Sequence, residues 1–191
     1  MFFDIYTILP LTCAIFVALL GVFILFKDRK SRMNQLLFGF NVCMFFWLFG
    51  TFMMFATRGS VASAVFWDRF VYLGVIMMPS LMHHFSLIFT GKANKQKSLL
   101  IINYAVGILF LFISRTPYFV DSLYIYSWGA HSQARLLHSI FLVYFFLSTG
   151  VFFTNLLNGF RKSKDHLFRV QTFYVFLAFA LVMFIGGSAY L

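Results

Sequence analysis

Apolar residues run along this chain in blocks of about 18 or more, and polar residues collect in short stretches between them. As helix, a block of that length crosses the roughly 30 Å of hydrocarbon in a bilayer. The blocks do not alternate residue by residue, which excludes the strands of a membrane barrel. Six helices are predicted, over residues 5–26, 35–56, 66–90, 98–115, 135–159 and 167–189. The fold class is therefore all-α, a polytopic transmembrane helical bundle forming one domain over 1–191. The first block lacks a basic leader and a small-residue cleavage site, so it is read as a retained span rather than a signal peptide.

The loops give the bundle a direction. Lys27, Arg29, Lys30 and Arg32, then Lys92, Lys95 and Lys97, then Arg161, Lys162, Lys164 and Arg169 place eleven cations in alternate loops. The other loops hold four, Arg58, Arg69, Arg115 and Arg135. Short loops rich in Lys and Arg stay cytoplasmic, so the N-terminus is expected outside. The longest loop, TPYFVDSLYIYSWGAHSQA at 116–134, then faces outward. Its Tyr and Trp residues suit an aromatic belt at the headgroups, the favoured reading, and its partial alternation also suits a short hairpin or lid. Six crossings leave Leu191 outside, and a seventh span beyond it is expected to return the chain to the cytoplasm.

Composition agrees with a membrane protein. The chain is 62% hydrophobic and 10% charged with a mean hydropathy of +0.89, more apolar than a soluble domain of 191 residues needs for its core. The net charge of +10 lies in loops rather than along a folded face. It predicts membrane lipid as a partner and no nucleic acid. Cys13 and Cys43 fall inside predicted spans and read as small apolar residues, without a disulfide or redox role.

The stretch FWDRFVYLGVIMMPSLMHHFSLIFTG at 66–91 carries the candidate chemistry. At 100° per residue, Asp68, Tyr72, Pro79 and His83 fall within about 60° of one another on one helix face. A polar stripe in a membrane helix turns to the bundle interior or to a wet cavity. Two readings follow. The stripe lines a ligand pocket open to the outside, with Pro79 as a hinge, or it is structural, a packed kink with histidines bonded to neighbouring helices. Trp67, Trp47 in the second helix and His138 near the outer end of the fifth complete the candidate ligand-binding set.

Other chemistries are excluded by placement. His83 and His84 diverge by about 100°, so they cannot share a metal on one regular helix. His138 lies near the outer end while His83 lies about 22 Å inward of Asp68, too far for a bis-histidine haem. All seven lysines sit in the inner loops, leaving no Schiff-base lysine within the six helices. No acid is predicted mid-span, against proton relays, and no hydrolase elbow, P-loop or carboxylate pair is present. No metal, cofactor or catalytic residue is expected. Asn41, Asn103, Tyr104, Ser148, Thr149 and Asn155 are read as interhelical hydrogen-bonding residues.

Several segments carry a family resemblance. A basic loop precedes RMNQLLFGFNVCMFFWLFG. FWDRFVYLGVIMMP then gives an aromatic before a Tyr-Leu-Gly step and a mid-helix proline, closed by FTG. YSWGAHSQARLLHSIFLVYFF and FRVQTFYVFLAFALVMFIGGSAYL follow. In this order they resemble the seven-helix N-terminal sensor region of bacterial histidine kinases, also found ahead of diguanylate cyclases. The resemblance covers essentially the whole chain and lacks the seventh helix and output domain. It implies a sensory module of the bacterial cytoplasmic membrane, relaying a signal to a cytoplasmic enzyme, and a homodimer in the full-length protein; the aromatic-rich helices suggest that the signal is small and apolar. A solute transporter is the competing reading, but it would need paired repeats or a central polar pathway. A purely structural subunit would need a small-xxx-small stripe. A fluorescent protein fused after Leu191 is expected to stay dark, and bright cytoplasmic fluorescence would reverse the topology.

Overall fold

A computed structural model of the chain describes residues 4–183. The helices are α1 (Ile5–Lys27), α2 (Arg32–Ala56), α3 (Val61–Val75), α4 (Met78–Phe89), α5 (Lys97–Ile113), α6 (Leu136–Lys162) and α7 (His166–Leu181). Two strands, β1 (Val120–Ile125) and β2 (Ala130–Ala134), lie between α5 and α6. α1, α2, α6 and the run Val61–Phe89 are long and apolar enough to cross a membrane, and α5 and α7 are shorter apolar helices. The fold is a helical membrane bundle. Its burial is inverted relative to a soluble protein: Phe16, Phe23, Phe112 and Leu147 are exposed, whereas Asp68, Ser80, His83, Asn103 and Asn155 are buried.

Local signals set most boundaries. Asp4 caps α1, Ser31 caps α2 and Asp165 caps α7, each accepting from a backbone N–H of the first turn. The helix predicted from 66 begins earlier, at Val61, because Ser60 opens it and Val-Ala-Ser-Ala-Val continues it without a breaker. It then divides at Ile76 and Met77. Pro79, near the start of α4, has no N–H to give the Val75 carbonyl, and its ring crowds that carbonyl. The stretch predicted as 167–189 begins at His166, and its end lies outside the described residues.

The loop at 116–134 forms a hairpin, the less favoured of its two readings. β1 and β2 pair antiparallel with Leu123 opposite Ser132, and an irregularity between Val120 and Ser122 sets the bend. Val120 and Leu123 turn inward, while Tyr124, Tyr126 and Trp128 stay exposed, as headgroup contact requires. Gly129 seats the tip on the Phe55 ring, where a Cβ would come within 2.8 Å. Arg58, just past α2, fastens this end of the bundle. It pairs with Asp4 at 2.6 Å and donates to the Ser127 carbonyl at 3.1 Å. The N-terminus, the loop after α2 and the hairpin therefore share one end.

The helices meet by close approach and by rings. Gly74 of α3 lies on the α2 backbone, so that a Cβ there would stand 2.1 Å from the Cys43 carbonyl oxygen. Toward the hairpin end, Tyr72, Phe110, Phe119 and Phe141 form one core cluster; toward the other, Met82, Phe85, Phe152 and Phe179 form a second. The Gly74 contact sets the distance between α2 and α3 and involves backbone, which cannot swing away. Gly74→Ala is expected to destabilise the bundle by about 3 kcal/mol, at the upper end of overpacking costs. A denaturation midpoint unchanged from the parent would contradict the close packing.

Candidate functional site

The polar stripe read along one helix divides, at the Pro79 break, between two buried assemblies. In the outer one, Asp68 of α3 accepts from the Ser132 hydroxyl of β2 at 2.7 Å. That bond uses the only Ser132 proton, so the Tyr72 hydroxyl, 3.4 Å from Ser132 Oγ, is the donor in their contact. The Tyr72 ring stands edge-on to Phe119, His138 and Phe141, with centroids 4.8, 5.5 and 6.3 Å away. Thus α3, the hairpin and α6 meet around one tyrosine. Asp68 Oδ2 and His138 Nε2 are buried without a hydrogen-bond partner among the described residues. Such atoms carry a desolvation cost that a hydrogen-bonding ligand or water would relieve.

Trp67 and Trp47 flank this assembly. Trp67 packs between Phe49 of α2 and Phe70 of its own helix, its ring centroid 5.9 and 5.3 Å from theirs. Trp47 is partly buried against the Tyr72 cluster from the α2 side.

The inner assembly joins α4, α5, α6 and the loop between α4 and α5. Asn103 of α5 is its hub: Oδ1 accepts from Tyr144 at 2.7 Å, Ser80 at 3.1 Å and Ser148 at 3.2 Å. Its amide nitrogen donates to His83 Nδ1 at 3.1 Å, so His83 carries its proton on Nε2, 3.2 Å from Gln96 Oε1. Gln96 donates to Asn155 at 3.0 Å, and Asn155 donates to Ser86 at 3.2 Å. Lys92, 3.4 Å from Asn155 Oδ1, closes the network at the basic end of the bundle. Burial lowers the Lys92 pKa, and the nearby Lys162 and Lys95 lower it further.

His83 and His138 thus belong to different assemblies, and His84 turns aside to the Tyr104 hydroxyl at 3.1 Å. The model of one protein family, described as the N-terminal 7TM region of histidine kinase, matches residues 9–191. The chain belongs to that family. No curated protein and no solved structure matches it.

Among the described residues, neither assembly of this member of the histidine kinase 7TM region holds a carboxylate pair or a nucleophile beside a base. What the two share is the α3–α4 segment, which carries Asp68 and Tyr72 above the break and Ser80 and His83 below it. Asn103, Ser148 and Asn155 were legible as polar positions in apolar helices. Ser80, Ser86 and Tyr144 carried no sequence signal beyond a hydroxyl in an apolar run, and Gln96 sat in a loop. Asn103→Leu is expected to leave Ser80, His83, Tyr144 and Ser148 short of a partner and to cost about 2 kcal/mol. A reversible denaturation series in detergent micelles measures it, and a loss no larger than that of Asn94→Leu in the neighbouring loop would remove Asn103 from the centre of the network.

Proposed function

We propose that this protein is the membrane-embedded sensory module of a bacterial signal-transduction protein. It lies in the cytoplasmic membrane, detects an extracellular or membrane-soluble signal, and relays it to a cytoplasmic output, a histidine kinase. One observation carries this reading: the outer hairpin is bonded to Asp68, and the helix bearing Asp68 breaks at Pro79 before bonding the inner network through Ser80 and His83.

The break lets α3 and α4 change their mutual angle without unwinding either helix. A signal that moves the hairpin therefore pulls on α3, and α4 answers through its bonds to α5 and α6. A ligand can shift this balance only by binding one arrangement more tightly than the other. A small apolar ligand entering the outer cluster would part the Tyr72, Phe119 and Phe141 rings, which are buried against one another, and would find Asp68 and His138 as polar partners. Trp47 and Trp67 stand on the α2 side of that cluster. The full-length protein works as a homodimer.

The test uses the full-length protein in native membranes, with phosphorylation of its cytoplasmic portion as the readout. Ser132→Ala and Asp68→Asn each loosen the hairpin from α3 and are expected to shift basal output severalfold at unchanged membrane levels. Wild-type output from both variants, with wild-type response to stimulus, would remove the hairpin from the signalling path.

A further inference from the structure

At the basic end of the bundle a groove of about 860 Å³ opens between α5 and α6. Lys92, Lys95 and Lys162 stand on its rim, and Phe146, Leu147 and Val151 form its wall. No acidic residue lines it. We infer that this groove binds an anionic phospholipid of the cytoplasmic leaflet, its phosphate among the three lysines and an acyl chain along the α6 wall.

Charge and shape each point to that occupant. α5 starts beside the lysines with no side-chain cap and no acid in its first turn, so its positive end adds to theirs. Lys92 stands near Lys95 and Lys162, whose like charges already press on its proton, and a phosphate between them relieves that repulsion. A soluble anion would leave the apolar wall unused. Phe146 and Leu147 are 50% and 68% exposed, and an acyl chain lying along α6 would cover them. Basic pockets between helices on the cytoplasmic side have the chemistry of anionic headgroup sites. The groove also adjoins the inner network, since Gln96 and Asn155 belong to both. The headgroup therefore sits within reach of the network joined to His83.

The site rests on the cytoplasmic placement of the lysine loops and not on the sensory reading, so its test reads lipid and not output. Native mass spectrometry of the protein from phosphatidylcholine nanodiscs containing phosphatidylglycerol counts the lipids retained. Wild-type protein is expected to retain phosphatidylglycerol over phosphatidylcholine. Lys95 and Lys162 are exposed, so K95Q/K162Q threatens no folding contact. It is expected to weaken retention about fivefold for each charge, about 25-fold together. K27Q/K30Q, an equal charge change on another loop of the same side, is expected to leave retention unchanged. Gly150 lines the groove, and a Cβ there meets nothing within 4 Å. Gly150→Phe is expected to displace the acyl chain while every lysine remains. Three results would overturn the site: wild-type retention by K95Q/K162Q, an equal loss in K27Q/K30Q, or displacement of the lipid by inorganic phosphate with no effect of Gly150→Phe.

Discussion

A hydroxyl, imidazole or amide in hydrocarbon has no water to turn to, and leaving it unpaired costs several kcal/mol. α4 brings Ser80, His83, His84 and Ser86 into that medium within about three turns. Their partners must come from protein, and α5 and α6 supply them through Asn103, Tyr104, Tyr144 and Asn155. This requirement fixes how the helices are rotated about their own axes. Ring packing alone would not, because lipid tails are as apolar as phenylalanine and give an apolar helix face little reason to prefer a neighbour. The phenylalanine clusters fill space around an arrangement that the polar atoms select.

The backbone supplies the second constraint. α2 is approached closely on two sides, by α1 at Gly21 and by α3 at Gly74, and the Asn41 side chain and the Cys43 carbonyl occupy the space a Cβ would need. These contacts hold α1, α2 and α3 as one unit. α4, past the Pro79 break, also packs on α2, where Leu36, Leu37 and Phe40 meet the cluster of Met82 and Phe85, and it is hydrogen-bonded to α5 and α6. The interrupted helix therefore packs on α2 both before and after the break, and the half after it is also hydrogen-bonded to α5 and α6.

The helical bundle was legible because the hydrophobic blocks report burial in lipid directly, and five of the six predicted starts fall within a few residues of the observed ones. The exception, 66 against Val61, reflects a short run of small and apolar residues, Val-Ala-Ser-Ala-Val, that carries no strong helix-start signal of its own. The site was legible in its members more than in its grouping. Asp68, Tyr72, Pro79 and His83 do lie along one segment, but face angle takes no account of what stands opposite. Ser132 faces Asp68 across 64 residues and Gln96 faces His83 across a loop, pairings that no local period encodes. The hairpin was hidden for a similar reason: Tyr and Trp suit both a headgroup belt and a strand.

The hairpin is fastened at two places of different physical character. At its base the Asp68–Ser132 bond is buried, so salt barely screens it. At its tip Arg58 reaches the Ser127 carbonyl while also holding Asp4, whose side chain is 36% exposed. The Thr7 hydroxyl and N–H, and then Arg58, hold the Asp4 carboxyl below its ordinary pKa, so it stays charged at neutral pH and remains Arg58's partner. The tip is thus tied to the N-terminus of α1 by an interaction open to ions, and the base is tied to α3 by one that is not. On the proposed sensory reading, a change arriving from outside meets the fastening at the tip first, and its displacement turns about the buried one. That pivot lies at Asp68, on the helix that leads to the break.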